Sequence, residues 1–171
     1  MNSHRSIVAL LLLAPFLWLS AGASASSPDA ATESDSITIE TLQLSEGRFL
    51  LSIDSEATDA AAILVTTPQS ENPLVLVELD GWVERDDSIW GGAKPLARVT
   101  VSGDDLRGHM EHILAYDAEG LHELTVSLLT KDGSLRRGTI RSVGLARGEA
   151  HEVELEPASM SKPASARGEA P

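Results

Sequence analysis

The stretch HELTVSLLT at residues 122–130, followed by KDGS at 131–134, LRRGTIRSV at 135–143, GLARG at 144–148 and HEVEL at 151–155, decides the fold class. Apolar and polar side chains alternate along it with the period of two that belongs to extended chain, and Gly-rich breaks separate the runs. Centring an antiparallel pair on the 144–148 loop sets Ile140 opposite Val153, Gly138 opposite Leu155 and Ser142 opposite His151 on one face. On the other face Arg141 then meets Glu152, Thr139 meets Glu154 and Arg137 meets Glu156. Opposite charges standing directly across from each other stabilise a strand pair, so one register accounts for both faces.

The preceding hairpin is read the same way. A two-residue Asp132-Gly133 turn would set Leu124, Val126 and Leu128 against Arg141, Thr139 and Arg137, mixing the faces. A three-residue loop, Asp132-Gly133-Ser134, pairs Val126 with Ile140 and Thr125 with Arg141 and keeps them apart, so the longer loop is expected.

Working outward, short runs rich in β-branched and aliphatic residues recur at 37–44, 49–53, 61–67, 74–79, 96–101 and 112–116. Turn signals such as Glu46-Gly47, Asn72-Pro73, Asp80-Gly81, Gly91-Gly92 and Gly103-Asp104 lie between them. Only 58–64 offers even a weak helical stripe. Many short strands at regular spacing predict an all-β antiparallel sandwich of about seven to nine strands.

The chain has 171 residues, with 13 Lys plus Arg against 26 Asp plus Glu and a net charge of −13. Nucleic acid and anionic membrane are therefore excluded as partners, because the phosphate attraction that drives such binding becomes repulsion. Aromatic residues make up only 4% of the chain, so Leu, Val, Ile and Ala must fill the core. Cysteine is absent, which removes disulfides, thiolate metal sites and Cys nucleophiles.

Residues 1–25 read as a signal peptide: a short cationic start, an apolar run over 7–19, then Ala21, Gly22, Ala23, Ser24 and Ala25. Cleavage is expected after Ala23 or Ala25, the latter preferred. The apolar run is shorter than the roughly 20 residues a span needs, so no membrane insertion is expected after cleavage. Export without cysteine points to a bacterial periplasm or medium. Residues 26–36 (SSPDAATESDS) and 157–171 (PASMSKPASARGEAP) bury too little apolar area to offset the entropy of ordering. They are expected to be a disordered linker and a disordered tail around a β-sandwich domain at 37–156.

The stretch DAEGLHELTV at 117–126 with KDGS at 131–134 resembles the penultimate strand and hairpin of bacterial immunoglobulin-like and PKD-like domains. Upstream, DGWV at 80–83 and KPLARVTVSG at 94–103 are similar to the opening strands of carboxypeptidase-regulatory-like domains and of exported YtkA/FixH-like domains. The resemblance covers roughly 80–143 and implies an immunoglobulin-like sandwich. The chain departs from the pattern at Arg98, where glycine is usual, and in a segment between His112 and Asp117 much shorter than that of a YtkA-like domain.

Three kinds of chemistry are weighed. Residues 104–112 (DDLRGHMEH) gather two imidazoles, a thioether and three carboxylates, and imidazole with thioether is a donor set that suits copper. A YtkA/FixH-like resemblance implies a His-rich loop near this place. His109, Met110 and His112 are the candidate metal ligands; a helical turn at Gly108 would put His109 and His112 on one face, and extended chain would part them. His122 and His151 share the parity of apolar neighbours and read as structural residues at the core edge. A calcium set of Asp54, Glu56 and Asp59 lacks the ligand spacing of an EF-hand loop.

Catalysis has no comparable signal: no G-x-S-x-G elbow, no H-E-x-x-H, no phosphate loop and no dinucleotide fingerprint occurs, and no catalytic residue or resident cofactor is expected. The third candidate is a protein-contact surface at Trp82 and Trp90, which flank the charged turn Glu84-Arg85-Asp86-Asp87. Trp82, on a strand, better suits the role of the core's largest residue, while for Trp90 the contact and packing roles stand level. The expectation is a periplasmic or secreted, non-enzymatic binding or accessory module acting on an unidentified protein partner, with a periplasmic copper-handling protein as the alternative.

Overall fold

A computed structural model describes residues 35–82, 94–141, 145 and 147–159. The described residues form ten strands: β1 (Ile37–Ser45), β2 (Arg48–Ser55), β3 (Ala60–Thr66), β4 (Val75–Leu79), β5 (Ala97–Val101), β6 (Gly108–Leu114), β7 (Glu123–Thr130), β8 (Leu135–Arg141), β9 (Arg147–Val153) and β10 (Glu156–Ala158). A 3-10 turn, Ala118–Gly120, precedes β7. The last strand takes in Pro157 and Ala158, which composition had assigned to the tail.

The strands make two sheets, one of four in the order β6-β2-β1-β9 and one of six in the order β10-β8-β7-β3-β4-β5. Ile37, Ile39, Leu51 and Ile53 of the first and Ile63, Val65, Val77, Leu124, Val126 and Leu128 of the second are fully buried in one shared cluster. Each such side chain contributes roughly 1.5–3 kcal/mol by leaving water. Aliphatic residues dominate as composition requires. The aromatic exception is Phe49, whose ring meets Tyr116 edge to face at 6.2 Å and 67°.

The sheets are not purely antiparallel, which corrects the sequence expectation: β4 and β5 run parallel, with Val77 opposite Val99. Parallel neighbours need a long crossover, and residues 80–96 supply one where a hairpin would use two to five residues. Glu78 lies on this pair's outer side, its carboxylate 5% exposed and 3.2 Å from Arg98 Nε.

The C-terminal ribbon differs from its expected form in an instructive way. Arg137 stands opposite Glu156, Arg136 opposite Pro157 and Leu135 opposite Ala158, the register that charge pairing predicts. Upstream of Glu154, however, the chain leaves β8 and joins the other sheet. There Val153 pairs with Ile37, Glu152 with Thr38 and His151 with Ile39. The expected partnership of Arg141 with Glu152 is therefore replaced: Arg141 bonds Glu123 on β7 at 2.6 Å, and Glu152 accepts a hydrogen bond from the Ser36 hydroxyl at 3.2 Å. Burying the apolar edge of β1 decides the switch, since β9 supplies Val153 beside Ile37 on the core side.

The β7–β8 hairpin has a three-residue loop, but it is Lys131-Asp132-Gly133. Thr130 N–H donates to Ser134 O at 2.9 Å, Gly133 N–H donates to Thr130 O at 3.0 Å, and Gly133 takes φ 88°. Leu124 thus faces Ile140 and Val126 faces Gly138, two residues away from the expected register. A shift of two keeps every side chain on its face.

Candidate functional site

The four-stranded sheet turns alternate residues of β1, β2 and β6 away from the core. Leu42 stands opposite Leu50, and Leu50 opposite Ile113, so three aliphatic side chains form a row across three strands. Leu42 is 38% exposed and Ile113 55% exposed, with Leu44 exposed beside them. Nothing on β1 or β2 needs these residues outside; the inward row Thr41, Leu51 and His112 already meets the core.

Two residues further along each strand, on the same face, comes a polar row. Glu40 is opposite Ser52, and Ser52 opposite Glu111; beyond them Thr38, Asp54 and His109 follow in the same manner. His109 Nδ1 lies 2.8 Å from Asp54 Oδ1, and its Nε2 lies 3.1 Å from Glu111 Oε1. A carboxylate oxygen at each ring nitrogen favours the protonated imidazole, which can donate to both. The bond to Glu111, then that to Asp54, raises its pKa above the ordinary imidazole value. The three side chains are about half exposed, so solvent screens the cluster and it sets local charge more than stability.

The candidate copper ligands part here. Gly108–Leu114 is extended, so His109 points outward while Met110 and His112 point inward, where Met110 packs against the core. Burial lowers the pKa of His112 and favours its neutral ring. The three do not form one ligand set. Among the described residues no group of three or more His, Cys, Asp or Glu side chains is arranged to hold a metal ion. Asp54 of the calcium alternative is engaged by His109.

Of the two tryptophans, Trp90 lies outside the described residues. Trp82 is half-buried and packs against the shared core and against a second small cluster of Ala62, Leu64, Leu76 and Leu129 on the outer side of the six-stranded sheet. Its bulk is largely committed to packing. His122 is exposed, unlike its expected place at the core edge, because β7 begins one residue later. His151 keeps the inward position that parity gives it.

The row Leu42, Leu50 and Ile113 was missed by sequence reading. Its signal was present: ITIETLQL and FLLSI each carry apolar residues on both parities, which a one-sided strand does not need. No protein-family model, no curated protein and no solved structure matches the chain. The functional reading therefore rests on the residues themselves.

Proposed function

We propose that the chain is an exported, immunoglobulin-like binding or accessory module that acts by protein contact and without turnover, and that its contact surface is the outer face of the four-stranded sheet. The carrying observation is the row of exposed Leu42, half-buried Leu50 and exposed Ile113, aligned by register across three strands. Apolar side chains gathered on a soluble surface mark an interaction site where single ones do not. Glu40 and Glu111 border the row on one side and Arg147 stands opposite Leu42, so the complementary partner surface is an apolar ridge with polar, charged flanks. Export is supported by the signal-type pattern at 1–25 and the absence of cysteine.

The test is site-specific photo-crosslinking in cells from position 42, beside the row's other members. One defined crosslinked protein is expected, and Ile113→Asp should reduce its yield at least tenfold while the thermal midpoint stays within a few degrees of wild type. Unchanged capture in Ile113→Asp, or no defined product from position 42, overturns the assignment.

A further inference from the structure

The sandwich is bridged by a short crossing on one lateral side and open on the other. On the bridged side residues 154–155 carry the chain from β9 in one sheet to β10 in the other. On the open side the edge strands are β5 of the six-stranded sheet and β6 of the four-stranded sheet, joined by residues 102–107. There the larger sheet overhangs the smaller. Val75, Val77 and Leu79 of β4 are buried, whereas Ala97, Val99 and Val101, the core-side residues of β5 beside them, are half-buried. Just before β5, Leu96 is 45% exposed, and Ile113 of β6 is more exposed still.

Both edges are competent to pair. Neither strand contains proline, and neither pairing with its inner neighbour shows a register shift. In β5, Ala97 N–H donates to Leu74 O and Val101 O accepts from Asp80 N–H, so the odd residues bond β4 and Thr100 turns its N–H and C=O to the outer edge. In β2, Glu56 N–H donates to Ser36 O, which makes the even residues those bonded to β1. The odd residues of β2 therefore bond β6 through Met110, His112 and Leu114, and His109, Glu111 and Ile113 turn their backbone groups outward.

The connection between β5 and β6 sets the heights of the two edges. It is centred between Asp104 and Asp105, so residues equally far from that point stand level: Val99 with Met110, Arg98 with Glu111, Leu96 with Ile113. We infer that two copies of the chain join by these edges about a two-fold axis parallel to the strands, β5 of each pairing antiparallel with β6 of the other. Such an axis leaves heights unchanged, so β5 meets the partner's β6 in the register just given. Thr100 then exchanges backbone hydrogen bonds with the partner's His109. On the outer face Arg98 stands opposite the partner's Glu111, and Leu96 opposite the partner's Ile113. On the core side Val99 stands opposite the partner's Met110.

Opposite charges meet, and two exposed aliphatic residues cover each other. Arg98 holds Glu78 through Nε, and its guanidinium has further donors for a second carboxylate. A slip of two residues either way sets Arg98 against the partner's His109 or Ile113 and loses the match. Each six-stranded sheet continues into the partner's four-stranded one, so the overhang of one copy fills the recess of the other and covers Ala97, Val99 and Val101. The net charge of −13 opposes association at low salt. At physiological ionic strength charges away from the seam are screened beyond about 8 Å, and Arg98 and Glu111 attract across it. Pairing is by the edges and holds whether or not the outer face of the four-stranded sheet binds another protein.

Sedimentation velocity of the chain purified after export, at physiological salt, should show a dimer of micromolar or tighter affinity. Glu111→Arg, which sets a cation against the partner's Arg98, should weaken it at least tenfold, with the thermal midpoint showing that the variant folds. Because the chain has no cysteine, two single variants read the register. Val99→Cys and Met110→Cys, each shown to fold, should form a mixed disulfide when combined and oxidised. Neither should form one alone, since like positions of the two copies lie in opposite layers. A wild-type chain that stays monomeric at tens of micromolar overturns the inference. So does undiminished dimerisation of folded Glu111→Arg, absence of the mixed disulfide, or a disulfide dimer of Val99→Cys alone, which would mean that β5 pairs with β5.

Discussion

Gly138 and Glu154 meet where the chain passes between the sheets: a Cβ on Gly138 would stand 2.5 Å from Val153 Cγ1 and closer still to the Glu154 carbonyl oxygen. Backbone cannot be displaced there without disturbing the step from β9 to β10. Gly138→Ala should therefore cost about 1–3 kcal/mol, the range for overpacking a filled site. Urea denaturation read by circular dichroism checks this; an unchanged midpoint would mean that the crossing is looser than the geometry requires.

On the parallel edge, Glu78 is buried on the outer side and Arg98 is half-exposed beside it. Removing the cation leaves a poorly hydrated carboxylate, while water reaching the Arg98 side limits the penalty. Arg98→Leu should lower stability by about 1–2 kcal/mol, and adding Glu78→Gln should restore part of the loss. Simple additivity of the two changes would remove the coupling.

His109 and His112, three residues apart on one strand, should titrate on opposite sides of the ordinary imidazole value near pH 6.5. Bonds to Glu111 and Asp54 raise His109, and burial lowers His112. The stabilisation from protonated His109 is fully present below the unfolded-state pKa and is lost as pH rises through the higher folded one. Keeping His112 neutral contributes above the unfolded-state pKa, and that contribution is lost as pH falls through the lower folded one. Proton NMR of the ring resonances reads both at once; Glu111→Gln should lower His109 alone. Coincident midpoints, or the reverse order, would contradict the assigned partners.

In the β7–β8 loop, Gly133 at φ 88° occupies a conformation that costs an L side chain roughly 1–2 kcal/mol. Gly133→Ala should lose about that much, measured by thermal unfolding. Gly120, outside the left-handed region and with open space at its Cβ position, should tolerate the same change.

Strand positions and faces were legible because period-two alternation survives any register shift of two, as at Val126 opposite Gly138 in place of Ile140. Sheet membership was not. The register of Arg137 with Glu156 was readable from charge, but nothing local to HEVEL says that Val153 has a better neighbour in Ile37, more than a hundred residues away. The start of β6 was hidden for another reason: at GHMEH an edge strand carries polar residues on both parities, so alternation vanishes where His109 and His112 separate. The apolar row was likewise obscured, since Leu50 and Leu51 are neighbours in sequence and only pairing reveals which one is buried.

Because β9 is bound into one layer and β10 into the other, the end of the described chain acts as a clasp. Tension or proteolysis applied at Ala158 first loads the β8 edge, and once that yields the pull passes through Glu154 to β1 in the facing layer. The two halves of the molecule should thus come apart in a single cooperative event, with slow amide exchange in β8 and β1 lost together.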